Sequence, residues 1–315
     1  MRVKREFYRT HKDLPSEEFI APGSPLCAGC GALTTLRLMH KILGGNVVIV
    51  NAAGCMTLMA TYPFTPLRSS WLYTTMGSAA GGAQGIRDAL DVLIEKGRIP
   101  RSEDLKVMVL AGDGSTCDMA MSANSGAIHR GLDFWYLCYD NEAYANTGFQ
   151  ASSGSPWGSA TTTTPQGNEG CKKDIFEIWR AQKPPYLATL SSHEPADLAE
   201  KVRRAMQYQG PKLFLALAAC PPGWGMNPEL ADDIAKRAVA TGVWPLKEAI
   251  FGEVRHTYIP RRFKPVEEYL KPQRRFRHLF EPEPDRAALN RIQAGVDAYW
   301  EGVHENEIAR AKATA

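Results

Sequence analysis

The chain has no apolar run approaching the roughly 20 residues a membrane span requires, so no membrane partner is expected. Its opening, MRVKREFYRTHKDLPSEEF, is charged throughout and lacks the apolar middle of a secretory signal, so a cytoplasmic location is expected. An excess of either charge is also missing. The 37 Lys and Arg against 34 Asp and Glu leave a net +3, too little to draw nucleic acid. There is no internal repeat, and the threonines at 161–164 sit in a loop and not a linker. Only one Cys-x-x-Cys occurs, with neither a second pair nor histidines at finger spacing, which argues against a structural zinc site. In a reducing compartment the seven cysteines are ligands or free thiols sooner than bridges. What is present, 315 residues that are 44% hydrophobic and 23% charged, is enough for one large or two small globular domains.

An irregular leader ends at the turn-rich APGSP. Leu33, Leu36, Leu38, Ile42 and Leu43 then recur at helical spacing until Gly44-Gly45 stops them, predicting a helix over 31–43. NVVIVN (46–51), KVMVLAGDG (106–114), FWYLCYDN (134–141), YLATLSS (186–192) and PKLFLALAAC (211–220) read as buried strands. Helical patterns over 78–96, 118–130, 195–209 and 229–241 lie between or after them. Such alternation predicts an α/β fold with a doubly wound, mostly parallel sheet. The texture changes after residue 242, where proline, arginine and aromatics crowd together. Residues 1–242 are therefore expected to form the α/β domain, and 243–315 an extended C-terminal arm with a closing helix over 284–312. Phe263, Tyr269, Leu270, Phe276 and Leu279 interleave with the arm's charges, so the arm and helix are expected to pack on partner subunits.

VMVLAGDG ends in Gly112-Asp113-Gly114, with a helix soon after. Glycine lets backbone N–H groups approach an anion, and a helix N-terminus favours negative charge. Asp113 is placed for a hard cation that bridges phosphate oxygens. By itself Gly-Asp-Gly is a common tight turn. However, some 26 residues on, a second apolar run ends in Asp140-Asn141. If the two strands are parallel neighbours, Asp113 and the Asn141 side-chain oxygen share the carboxyl edge where such sheets bind ligands.

The whole stretch GDGSTCDMAMSANSGAIHRGLDFWYLCYDNEAYANTGFQ resembles the β subunits of 2-oxoacid:ferredoxin oxidoreductases, in particular the pyruvate synthase branch. Its most specific part is Tyr144-x-Asn146-Thr147-Gly148-x-Gln150, and the likeness runs from about residue 20 to 280, through WPL, PVEEYL and RRFRHL. The resemblance implies a thiamine-diphosphate-binding fold with Mg2+ held by Asp113, Asn141 and the Ala143 carbonyl. It implies Gly54, Gly112, Asp113, Gly114, Ser115, Thr116, Asn141, Ala143 and Asn146 as the cofactor-binding set, with Asn146 as the candidate catalytic residue. Further subunits in a dimerised heteromer, a ferredoxin acceptor and a small 2-oxoacid substrate are implied too. Two places depart from that branch. Met76-Gly77-Ser78-Ala79-Ala80 stands near where it reads Phe-Glu-Asn-Ala-Ala, and Phe149 replaces a smaller residue. These departures say only that the pocket has changed; the resemblance extends to a family member that acts on oxalate, and it implies oxalate, oxidised to CO2 without coenzyme A, ahead of pyruvate.

Cys27 and Cys30, at the mouth of the first helix, are compatible with a dithiol or a metal centre. Cys55 in NAAGC and Cys220 in LALAACPPGW both end apolar runs. If those strands lie side by side, four thiols from three segments meet at the sheet edge, a set that suits a [4Fe–4S] cluster. The resemblance implies the same four ligands, and electrons leaving singly through the cluster to ferredoxin. Cys117, Cys138 and Cys171 are left over, with Cys138 reading as core.

Overall fold

The computed structural model describes residues 6–100 and 105–313, with side chains described through residue 305. Its strands are β1 (Val47–Ala52), β2 (Ser70–Thr74), β3 (Lys106–Gly112), β4 (Trp135–Asp140), β5 (Tyr186–Ser191), β6 (Lys212–Leu217), β7 (Leu246–Ile250) and β8 (Glu253–Tyr258). The helices are α1 (Gly31–Leu43), α2 (Ala79–Glu95), α3 (Met121–His129), α4 (Ile175–Arg180), α5 (Pro195–Ala205), α6 (Pro221–Trp224), α7 (Ala231–Ala240), α8 (Glu267–Leu270) and α9 (Arg286–Ala313). The strands form one sheet in the order β2-β1-β3-β4-β6-β5-β7-β8, parallel from β2 to β5 and antiparallel at β5/β7 and β7/β8. This is the expected mostly parallel α/β architecture.

The central strands are apolar on both faces because helices cover both. Neighbouring residues alternate between two cores. Val50, Val109, Tyr136 and Leu215 join one, packed with residues of α2, α3, α4 and α7. Ile49, Leu110, Leu137 and Phe214 join the other, under Leu36 and Met39 of α1 and Leu198 and Val202 of α5. Each fully buried side chain of this kind stabilises the fold by about 1.5–3 kcal/mol.

Three features differ from the sequence reading. β2 was not expected, since SWLYT is an edge strand with mostly exposed side chains and no clear alternation. The 118–130 helix begins later, after a wide π-type turn over Gly114–Met119, a distortion that often marks functional sites. The arm opens as a hairpin that extends the sheet. Its period was masked by charges that the fold pairs internally. Lys247 lies 4.1 Å above the Phe176 ring, and the fully buried Glu248 meets Arg204, Arg255 and Tyr186. Nor does packing break at residue 242. Tyr269, Leu270, Phe276 and Leu279 are buried in the same core as Val50 and Val109, and the Phe263 ring packs against Trp300 at 4.8 Å, tilted by 41°. Those arm side chains are covered by this chain itself.

Candidate cofactor and cluster site

β1, β3, β4 and β6 are consecutive neighbours in the sheet, so their carboxyl ends line up along one edge. β2 flanks β1 on one side and β3 on the other, which makes this edge a topological switch point. A cavity of about 320 Å³ opens there, lined by Gly54, Gly112, Gly114, Ser115, Asn141, Ala143 and Asn146 from the expected set. Gly114 is required by close approach, since a Cβ there would lie 2.2 Å from the Tyr144 ring. The Ser115 hydroxyl donates to Met76 O at 2.5 Å, tying the departing 76–80 loop to the turn. Thr116 lies off the cavity; its hydroxyl donates to Gly112 O at 2.8 Å and is 3.1 Å from the Tyr136 hydroxyl. It braces the turn from behind.

Asp113 and Asn141 meet as their strand ends suggested. One end of the Asn141 amide lies 2.8 Å from both Asp113 Oδ1 and Ala143 O. With nitrogen there, it donates to both oxygens. With oxygen there, it faces two further oxygens, each close to the ~3 Å spacing of adjacent ligands around an octahedral Mg2+. The other Asp113 oxygen accepts from the Ser152 hydroxyl. Burial, reinforced by nearby Asp140, pushes the Asp113 carboxyl well above its ordinary range. A cation beside it is what would keep it ionised. Among the described residues no three His, Cys, Asp or Glu groups close on a single metal ion. A cation held by one carboxylate, one amide and one carbonyl would form no such group, nor would thiolates that each hold a different iron.

The sequence reading missed the charges that shape this turn. Lys172 Nζ sits 2.7 Å from both Asp140 Oδ2 and Glu142 Oε1. Arg275, from the arm, contacts Glu142 Oε2 at 2.6 Å and lies 3.9 Å over the Trp224 ring. Trp224 Nε1 in turn donates to Asn141 O at 2.9 Å. Burial pushes Glu142 up, but Lys172 and Arg275 outweigh it and hold the carboxyl below its ordinary range. Glu142 itself has φ +65°, a left-handed turn for a non-glycine residue. The pair of residues flanking Asn141 is thus pinned by two cations distant in sequence.

The cysteines meet, though not by the route expected. β1 and β6 are not side by side; β3 and β4 lie between them. Cys55 and Cys220 nevertheless share a second cavity, of about 190 Å³, with Cys27 and Cys30. The 27–30 loop reaches it because the start of α1 lies on the end of β6. Gly31 N–H donates to Ala219 O at 3.0 Å, and a Cβ at Gly31 would lie 2.6 Å from Ala219 N. Backbone N–H groups of Leu33 and Ala32 point to Cys30, and that of Gly223 to Cys220. Burial pushes Cys55 up to about 12 and Cys220 up to about 11. Such thiols ionise when a metal replaces the proton. Cys117 and Cys138 are buried and Cys171 exposed, none of them on either cavity wall.

The two cavities share Cys55, Leu58, Asn141, Ala145 and Asn146 as a common wall. Phe149 lines only the cysteine cavity. The Gln150 amide is engaged with Thr147, donating to its carbonyl at 2.8 Å.

The chain is similar to known proteins in sequence and in fold. The family model for the thiamine pyrophosphate enzyme C-terminal TPP binding domain matches residues 52–215. Pyruvate synthase subunit PorB of Methanocaldococcus jannaschii is 43% identical over 289 residues, covering 90% of this chain and 95% of the relative. The same subunit of Methanothermobacter thermautotrophicus is 44% identical over 291 residues, covering 90% and 97%. Among solved structures, a chain of the 2-oxoglutarate:ferredoxin oxidoreductase from Magnetococcus marinus shares the fold. Its TM-score is 0.54 at 20% identity, over 75% of this chain and 84% of that one.

Proposed function

The chain belongs to the pyruvate-synthase-like β subunits of the 2-oxoacid:ferredoxin oxidoreductases, and from that membership we propose that it oxidatively decarboxylates pyruvate. It would act within a heteromer that uses coenzyme A and yields acetyl-CoA, CO2 and two electrons for ferredoxin. The observation that carries the reading is the shared wall, which sets a cavity suited to thiamine diphosphate directly against four cysteines. When bound, thiamine diphosphate supplies the carbon nucleophile and electron sink for decarboxylation, and a [4Fe–4S] cluster supplies a one-electron relay.

In this reading Asp113, Asn141 and the Ala143 carbonyl hold Mg2+. The turn after β3, with Gly112, Gly114 and Ser115, receives the diphosphate, and Asn146, on the wall shared by the two cavities, contacts it. Cys27, Cys30, Cys55 and Cys220 hold the cluster, while Leu58 and Ala145 supply the apolar part of the wall between the two cavities. Exposed apolar side chains beside the cavity, Tyr73 at 55% and Leu58 at 41% exposure, support coverage by another subunit.

Pyruvate displaces oxalate as the proposed substrate. These two relatives are named for pyruvate, and among the described residues no charged side chain lines the larger cavity. Oxalate's second carboxylate would therefore find no cation among the described residues of that lining, at a cost of several kcal/mol. Of the two loop departures only Met76 reaches that cavity; Phe149 faces the cysteines. Anoxic turnover by the purified heteromer with a viologen dye tests the reading. Pyruvate with coenzyme A should reduce the dye, and this chain alone should be inactive. Coenzyme-A-independent turnover of oxalate with none on pyruvate would reverse the substrate assignment.

A further inference from the structure

Phe149 has φ +65°, a backbone state that bulky side chains rarely adopt. Such outliers persist only where the surroundings over-determine them, and they gather at functional sites. Here the turn is closed on both sides. Phe149 N–H donates to Tyr144 O at 3.0 Å, Thr162 N–H donates to Phe149 O at 3.1 Å, and the Thr162 hydroxyl donates to Gly148 O at 2.9 Å.

The strained backbone aims the ring into the cysteine cavity. A Cβ built on Gly223 would lie 2.8 Å from Phe149 Cδ1 and 3.0 Å from Cys220 Sγ. Ring and thiol therefore sit against the same glycine, which leaves room for both. Cys27 is exposed, so this cavity lies near the protein surface, and Phe149 is itself half-buried. The remaining wall is largely apolar, with Leu26, Ala32, Pro221 and Pro222.

We propose that Phe149 is a solvent shield for the cluster, a positioning residue that keeps water from Cys220 and so holds the reduction potential low. The inference rests on the cluster reading given above. A reduced cluster carries one more negative charge than an oxidised one. Dry surroundings disfavour that charge, and water admitted to the sulfurs favours it.

The test uses the anaerobically purified heteromer carrying Phe149→Leu, Phe149→Ala or Phe149→Gly. The iron signal that disappears in Cys55→Ser identifies this chain's cluster in each preparation. Phe149→Leu should follow the wild type. Phe149→Ala and Phe149→Gly should keep the iron but show a more positive midpoint potential and bleach in air roughly tenfold faster, as solvent exposure dictates. Phe149→Gly should melt at a higher temperature than Phe149→Ala, because glycine adopts this φ freely. If Phe149→Ala fails to fold, Phe149→Gly decides alone. Wild-type potential and bleaching in Phe149→Gly, with its iron intact, would overturn the shield and leave the cluster reading standing. No Cys55-dependent iron signal in the wild type would overturn both.

Discussion

Replacing Arg275 with methionine removes a charge and keeps most of the packing over Trp224. In the native chain Arg275 is 6% exposed, and its guanidinium contacts Glu142 at 2.6 Å and donates to Gln273 Oε1 at 2.8 Å. Without it, Lys172 is left to neutralise both Asp140 and Glu142, so the buried group carries an extra negative charge. Breaking a buried pair in this way costs about 3–5 kcal/mol. The lower end is expected because Lys172 remains in place. Trp224 also holds the Asn141 carbonyl, so the loss should reach the Asn141 turn, where Mg2+ is proposed to bind. We expect a lower melting temperature and about tenfold weaker Mg2+-dependent thiamine diphosphate binding, the equivalent of about 1.4 kcal/mol. A double-mutant cycle with Glu142→Gln, read by thermal unfolding and by cofactor titration, isolates the coupling. The double variant should be more stable than Arg275→Met alone, since no unpaired charge is left behind. Full additivity, or an Arg275→Met protein indistinguishable from wild type, would refute the idea that this network holds the site.

Gly114→Ala places a Cβ 2.2 Å from the Tyr144 ring, which its hydroxyl anchors to Asp118 at 2.9 Å. Overpacking of about 1–3 kcal/mol should displace the 143–150 turn and weaken cofactor binding in calorimetric titration; unchanged affinity would contradict this. Cys55→Ser should lose the cluster's visible absorbance, whereas Cys138→Ser, in the middle of β4 and 1% exposed, should keep it; the reverse pattern would mean the ligands are misassigned. His40 is buried, with Nε2 2.8 Å from the Ser69 hydroxyl, and burial pushes it down to about 4. Its contribution to stability is present above the unfolded value near 6.5 and is lost as pH falls towards 4. The wild type should therefore lose about 2 kcal/mol between about pH 7 and pH 5 that His40→Gln does not. Equal pH slopes in denaturant unfolding would count against it.

The parts of the site that could be read from sequence are those where a strand's apolar run stops abruptly. Gly112-Asp113-Gly114 is a common turn by itself, and it becomes legible because a second apolar run ends in Asp140-Asn141 some 26 residues later. Cys55 and Cys220 stand out because both end apolar runs. However, the expectation that their strands adjoin was wrong, since order in the sheet is set by crossovers that leave no local mark. Lys172 and Arg275 were invisible for a related reason. Each is one cation among many, and its burial depends on carboxylates 30 or more positions away. The β7–β8 hairpin was hidden by Lys247 and Glu248, whose charges break the apolar pattern until Glu177, Arg204 and Arg255 pair them.

The most direct measurement is an anomalous-scattering map at the iron edge, from crystals of the heteromer grown without oxygen and with thiamine diphosphate and Mg2+. The account predicts iron density bounded by Cys27, Cys30, Cys55 and Cys220, with the diphosphate across the shared wall against Asp113 and Asn141. Iron absent from those four sulfurs, or a diphosphate bound away from the turn after β3, would contradict it.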